Sequence, residues 1–259
     1  MILAGNLAVG EAPPCSDGGL LLASVDVEWS KNYRVKGGNV PFCFSVAWLA
    51  LPAGASALTD STRFWWTSAY VEDDGERADL IAAADAALVS IAECATVAAG
   101  HQLCSDLAVL SAAAGREPPA IKAARSAWRN RGQAGACRPA WLDTRYDAGH
   151  VLAGPSRRLV DVCADLRLYV AQPELRGASM TALHRRWLER GDTTAREKIT
   201  VLNLRHSLST AIVAARAAEL AHWQPGLNVN RLLAAQLGGE LSWVSDPAFA
   251  ALLGEPGAA

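Results

Sequence analysis

Apolar and polar positions change their period along the chain, and each change marks an element. Residues 1–19 hold Gly, Pro, Ser and Asp with no sustained period, which predicts an irregular leader. LLLASVDVEW (20–29) and VPFCFSVAWLALP (40–52) are apolar and rich in strand formers. SKNYRVKGGN between them carries charge and a Gly-Gly-Asn turn signal, so the pair predicts a hairpin. RFWWTSAYV (63–71) predicts a third strand, an antiparallel neighbour of the first two. The spacing then becomes helical in DLIAAADAALVSIAECA (79–95). ATVAAGHQ (95–102) predicts a short buried strand running into a loop, and LCSDLAVLSAAAG (103–115) a helix.

Residues 115–140 are rich in Arg, Gly and Pro and read as loop-bearing. With AWLDTRYDA, a short strand or a turn, they make an insertion over about 115–157. RLVDVCADLRLYV (158–170), SMTALHRRWLER (179–190) and NLRHSLSTAIVAARAAELAHW (203–223) predict helices, and residues 224–259 form a C-terminal extension with one more. Three strands, then helix–strand–helix, then helices describe an α/β chain with a mixed sheet.

Composition narrows the class. The 259 residues are 51% hydrophobic and 19% charged, ample for a core and unlike a disordered chain. The formal net charge of −2 provides no global basic field for a long duplex. Twenty of the twenty-four basic residues are Arg, which suits phosphate contacts and equally reflects a GC-rich coding bias. The six cysteines contain no C-x-x-C pair, against a zinc knuckle or a disulfide framework. The first residues lack the features of a signal peptide, and no run reaches the roughly 18–20 apolar residues of a membrane span. A reduced, soluble, cytoplasmic protein without a membrane partner is expected.

Three short features carry candidate chemistry. On a strand, Asp26 and Glu28 share one face while Val25 and Val27 take the other. Two buried carboxylates side by side call for a cation, and oxygen ligands suit Mg²⁺ or Mn²⁺; the triplet alone, a common one, fits a solvated edge strand better. Asp106 lies in the first turn of its helix, where the dipole favours an acid whatever its role. His206 stands near the start of the longest predicted helix.

In this order and spacing, residues 20–223 resemble the DEDD 3′–5′ exonuclease superfamily, in the histidine-bearing subgroup of RNase T, oligoribonuclease and proofreading exonucleases. Asp26 and Glu28 match its D-x-E, GHQLCSDLAVL (100–110) matches the block holding the second acid at Asp106, and NLRHSLSTAIVAA (203–215) matches the block opened by the histidine. LVDVCADLRLYV and SMTALHRRWL are similar to its connecting helices. The resemblance implies a ribonuclease H-like fold, in which three antiparallel strands come first, parallel strands follow and helices flank the sheet. It implies two-metal phosphodiester hydrolysis, with Mg²⁺ or Mn²⁺ on Asp26, Glu28 and Asp106 and with His206 as general base. The partners implied are short or single-stranded DNA or RNA 3′ ends; several relatives dimerise, so a homodimer is among the open states. Trp29, His101 and Arg205 are the candidate substrate contacts, Trp29 by stacking or equally as core filling. An Arg-rich stretch at 125–138, free to fold over a strand, would make the cleft rim positive.

One position departs from the family. The last aspartate of the third block falls on Ala211, so the fourth metal ligand is missing. An engineered exchange, an altered site holding one metal, and loss of catalysis with retained binding all remain open. A non-catalytic module binding nucleic acid or protein is the alternative to an exonuclease. With Ala211, weak metal binding and activity below that of an Ala211→Asp variant are expected.

Overall fold

The architecture comes from a computed structural model that describes residues 1–15, 18–31, 38–133 and 138–254. Its strands are β1 (Ile2–Gly5), β2 (Leu20–Ser30), β3 (Val40–Leu51), β4 (Ser56–Leu58), β5 (Trp65–Tyr70), β6 (Val97–Gly100), β7 (Ala140–Asp143) and β8 (Ala221–Trp223). Its helices are α1 (Arg77–Cys94), α2 (Leu103–Ala113), α3 (Pro119–Asn130), α4 (Leu159–Asp165), α5 (Met180–Arg190), α6 (Thr193–Ala217), α7 (Val229–Leu237) and α8 (Pro247–Ala250).

Six strands form a mixed sheet in the order β1-β5-β3-β2-β6-β7. The β1/β5, β5/β3 and β3/β2 pairs are antiparallel, and β2/β6 and β6/β7 are parallel. The chain is therefore α/β with a mixed sheet flanked by helices, and the three early strands pair as expected. The turn expected between β2 and β3 falls mostly outside the described residues. The parallel strand β6 is short and wholly buried, as parallel pairing under helices requires, while β7 at the sheet edge starts exposed and ends in the buried Asp143.

Alternation along β2 divides the core. Leu21, Ala23, Val25 and Val27 face an apolar cluster with α1, α2 and α3, while Leu22 faces a second cluster built on α6, α7 and the C-terminal residues. Ser24 and Asp26 share the Leu22 side, and so lie beneath α6. That helix starts at an Asp192 cap whose carboxylate accepts the Ala195 N–H at 2.9 Å, directly after Gly191 closes α5 at φ +61°.

The structure alters five boundaries. The leader contributes β1, whose pairing with β5 spans some 65 residues of sequence and leaves no local signal. The 115–157 segment contains α3 and the sixth sheet strand, so it is part of the fold and not an inserted loop. The helix expected over 158–170 ends at Asp165, because Arg167 adopts φ +56°. Residues 224–254 are no appendage: Leu232, Leu233, Leu237, Trp243 and Phe249 are buried in the same cluster as α6. The long helix begins ten residues earlier than expected and stops at Ala217; Ala221–Trp223 is instead a strand pairing in parallel with β4. No helix among the described residues is long and apolar enough to cross a membrane.

Candidate metal and nucleic-acid site

The C-terminal end of β2 opens into a cleft of about 900 Å³ whose lining includes Asp26, Glu28, Trp29, His101, Asp106 and His206. Three separate elements converge there. Strand β2 supplies Asp26 and Glu28, and a register shift between Glu28 and Trp29 breaks the ladder immediately after the acidic pair. Such a bulge re-aims the side chains beside it. Trp29 borders the cleft and also packs on the α1/α2 side of the core.

Helix α2 packs on the opposite face of the sheet from α6, yet its first turn stands at the cleft. The tight passage from β6 into α2 arranges this. Gly100 permits it, since a Cβ there would lie 2.6 Å from that of Leu103. Gln102 follows in the left-handed region at φ +64°, with its N–H donating to Asp143 Oδ1 at 2.9 Å. Asp143 also accepts from Trp128 Nε1 and the Arg145 N–H, so this buried acid braces the turn. Asp106 is 3% exposed, and its Oδ2 has no hydrogen-bond partner among the described residues. Burial, and then the charges of Asp26 and Glu28, hold its carboxyl well above the usual range.

Helix α6 brings the histidine. His206 lies midway along its 25 residues, not near its start, and its Nδ1 stands 3.2 Å from Glu28 Oε1 and 3.5 Å from Asp26 Oδ2. Ligand atoms of Asp26, Glu28 and His206 all lie within 4.8 Å of one another. Burial disfavours the imidazolium, but hydrogen bonds and charge from Asp26 and Glu28 outweigh it and lift His206 to about 10. Burial likewise raises Glu28, against the opposing pull of His206.

Two amides complete the arrangement and escaped the sequence reading. Asn203, fully buried one helical turn before His206, donates to Asp26 Oδ2 at 2.6 Å. Gln172 Nε2 lies 3.0 Å from His206 Nε2. The i, i+3 spacing of Asn203 and His206 is a signal that would have found Asn203; none pointed to Gln172. His101 holds Thr144 Oγ1 at 2.9 Å, and burial lowers it to about 4, so it borders the cleft as a neutral ring.

Two expected positions do not join the site. Arg205 is fully buried and cannot touch substrate: it forms a bidentate pair with Glu174 at 2.6 and 2.7 Å and donates to Asn230 at 2.7 Å. It neighbours His206 in sequence but points about 100° around the helix from it. Ala211 is also fully buried, in the apolar cluster with Leu22, Ala47, Leu208 and Ile212, and does not border the cleft. The positive rim is not formed by the arginines proposed for it. Arg131 is held by Asp147 at 2.7 Å and stacks over Trp128, and Lys31 is the one Lys or Arg among the described lining residues. Residues 134–137 of the Arg-rich stretch lie outside the described residues.

Comparison of the chain with protein-family models, with curated proteins and with solved structures finds no match.

Proposed function

We propose that this protein is a metal-dependent phosphodiester hydrolase, a 3′–5′ exonuclease of short or single-stranded DNA or RNA on a ribonuclease H-like sheet. The observation that carries the reading is the convergence of Asp26, Glu28, Asp106 and His206 from β2, α2 and α6 on one cleft. Sheet order supports it: three antiparallel strands, β5-β3-β2, followed by parallel β6 and β7, is the arrangement the resemblance implies.

The residues fit a divalent cation. Asp106 Oδ2 is buried without a partner among the described residues, and three carboxylates gather in a cleft where Lys31 is the one Lys or Arg among the described lining residues. A charge cluster of this kind is costly unless neutralised. Asp26, Glu28 and Asp106 would hold the ion, which when bound supplies charge neutralisation for a phosphodiester and an acidified water. Asn203 holds Asp26 Oδ2, the oxygen that also faces His206, and so fixes how the carboxylate sits at the cleft. Trp29 and the apolar wall of Val109, Ala112 and Met180 offer surface for a base or sugar, and Lys31 offers a phosphate contact. The single Lys and the net charge of −2 favour a short end over a long duplex.

Digestion of end-labelled DNA and RNA oligomers with and without Mn²⁺ tests the proposal. Trimming from the 3′ end that depends on Mn²⁺ and drops about a thousandfold in Asp26→Asn is expected, as several kcal/mol of stabilisation would be lost. Ala211 favours a second reading, a module that holds a nucleic-acid end without cutting it. Mn²⁺-dependent oligomer binding with no cleavage would select that reading.

A further inference from the structure

The geometry points to His206 as a direct metal ligand through Nδ1, giving a mixed nitrogen–oxygen centre that takes a first-row transition ion in preference to Mg²⁺. This rests on the reading of the cleft as a metal-dependent site, but assigns the histidine a different task from the general base that the resemblance implies.

Position is the first argument. Ligands about 2.1 Å from one ion, on adjacent corners of an octahedron, stand about 3 Å apart. The 3.2 and 3.5 Å separations of His206 Nδ1 from Glu28 and Asp26 lie close to that spacing. A histidine serving only an attacking water would instead keep a ring nitrogen directed at the open cleft. Here Nδ1 faces the two acids and Nε2 faces Gln172 at 3.0 Å, so both nitrogens are engaged. The Gln172 contact is the kind of outer partner that orients a metal-bound imidazole.

The second argument is the missing acid. Ala211 lies in the apolar core and supplies nothing to the cleft, whereas His206 occupies the gap beside the acidic pair. Independently of the triad, Asp106 lines the same cleft with a side chain 3% exposed, and its Oδ2 has no hydrogen-bond partner among the described residues. Two carboxylates and one imidazole, from Asp26, Glu28 and His206, then make a three-ligand protein set, with Asp106 lining the same cleft. Mg²⁺ strongly prefers oxygen and retains its waters, while an imidazole ligand moves selectivity toward transition ions.

The test uses the full chain with Mn²⁺, read by pulsed electron paramagnetic resonance and by binding titration. Expected are ¹⁴N couplings from one imidazole, their disappearance in folded His206→Gln, and at least a tenfold weaker Mn²⁺ affinity in that variant. Mg²⁺ should compete with Mn²⁺ only in large excess. Bound Mn²⁺ showing no ¹⁴N coupling in the unaltered chain would overturn the inference, whether or not any variant folds. Equal Mn²⁺ affinity in His206→Gln would do the same. Nitrogen-coordinated Mn²⁺ without oligomer cleavage would uphold this centre and sink the exonuclease reading; cleavage with all-oxygen Mn²⁺ would do the reverse.

Discussion

Individual side chains in this fold carry opposite electrostatic assignments according to what surrounds them. His206 faces two carboxylates and is raised to about 10, whereas His184 is lowered to about 4 by burial. His184 stacks on Phe42 with centroids 3.9 Å apart and shares a 2.9 Å hydrogen bond with the Tyr70 hydroxyl. The sign of its effect on stability follows. Below its ordinary value near 6.5 the unfolded chain gains a proton that the folded chain refuses until about 4, so stability falls as pH drops through that window. Denaturant unfolding at several pH values should therefore show His184→Phe losing less stability than the unaltered chain between about 6.5 and 4. Parallel profiles would show that His184 titrates normally in the fold. The four chemistry-bearing residues were legible in the sequence because type, order and spacing survive without tertiary information. Asn203 and Gln172 were not, since an amide acquires its role only from what it touches. Arg205 was misread for the same reason: adjacency in sequence places it on a different side of α6 from His206, against a glutamate 31 residues away.

At the scale of elements, α6 acts as a ruler laid beneath the sheet. Asn203 meets Asp26 and Ser207 meets Ser45 at 2.6 Å, one turn apart along the helix and one residue pair along the β2/β3 ladder, where Asp26 and Ser45 are partners. Continuing the ruler by another turn reaches Ala211, beyond the acidic pair and in the apolar cluster. The sequence expectation that an aspartate there would strengthen the metal site is thus replaced by a different one. Ala211→Asp should bury a carboxylate without a partner and destabilise the fold by about 3–5 kcal/mol. Thermal unfolding with and without Mn²⁺ measures this. Restoration of the melting temperature by Mn²⁺ would show that position 211 reaches the ion after all. Helix-forming, Ala- and Leu-rich composition made α1 and α2 readable to within a few residues, and amphipathic spacing did so for α5. The start of α6 was hidden because its first turns carry Arg196, Glu197 and Lys198 around the helix, with Glu197 itself buried and accepting from Trp243.

Across the whole molecule, the cleft depends on residues far beyond the stretch that resembles a nuclease. Arg205 and Glu174 form an ion pair that is fully buried on both sides, extended to Asn230 of α7 and to Trp243 Nε1, which donates to Glu174 at 3.0 Å. These contacts tie the C-terminal segment to the helix that carries His206 and to the turn that follows Gln172. The pair was not visible in the sequence, since Arg and Glu are separately ordinary surface residue types, and the apolar residues of 224–254 carry no local sign of where they dock. Breaking one side strands the other: Arg205→Met leaves the Glu174 carboxylate buried with the Trp243 indole alone and should cost about 3–5 kcal/mol. Adding Glu174→Met removes the stranded charge, so the double variant should recover much of that loss, because an apolar replacement of a buried pair is often near neutral. Chemical denaturation of the two single variants and the double variant gives the coupling directly. Additive losses would mean that the pair makes no joint contribution, and that α6 is held over the acidic pair by apolar packing and its Asn203 and Ser207 hydrogen bonds.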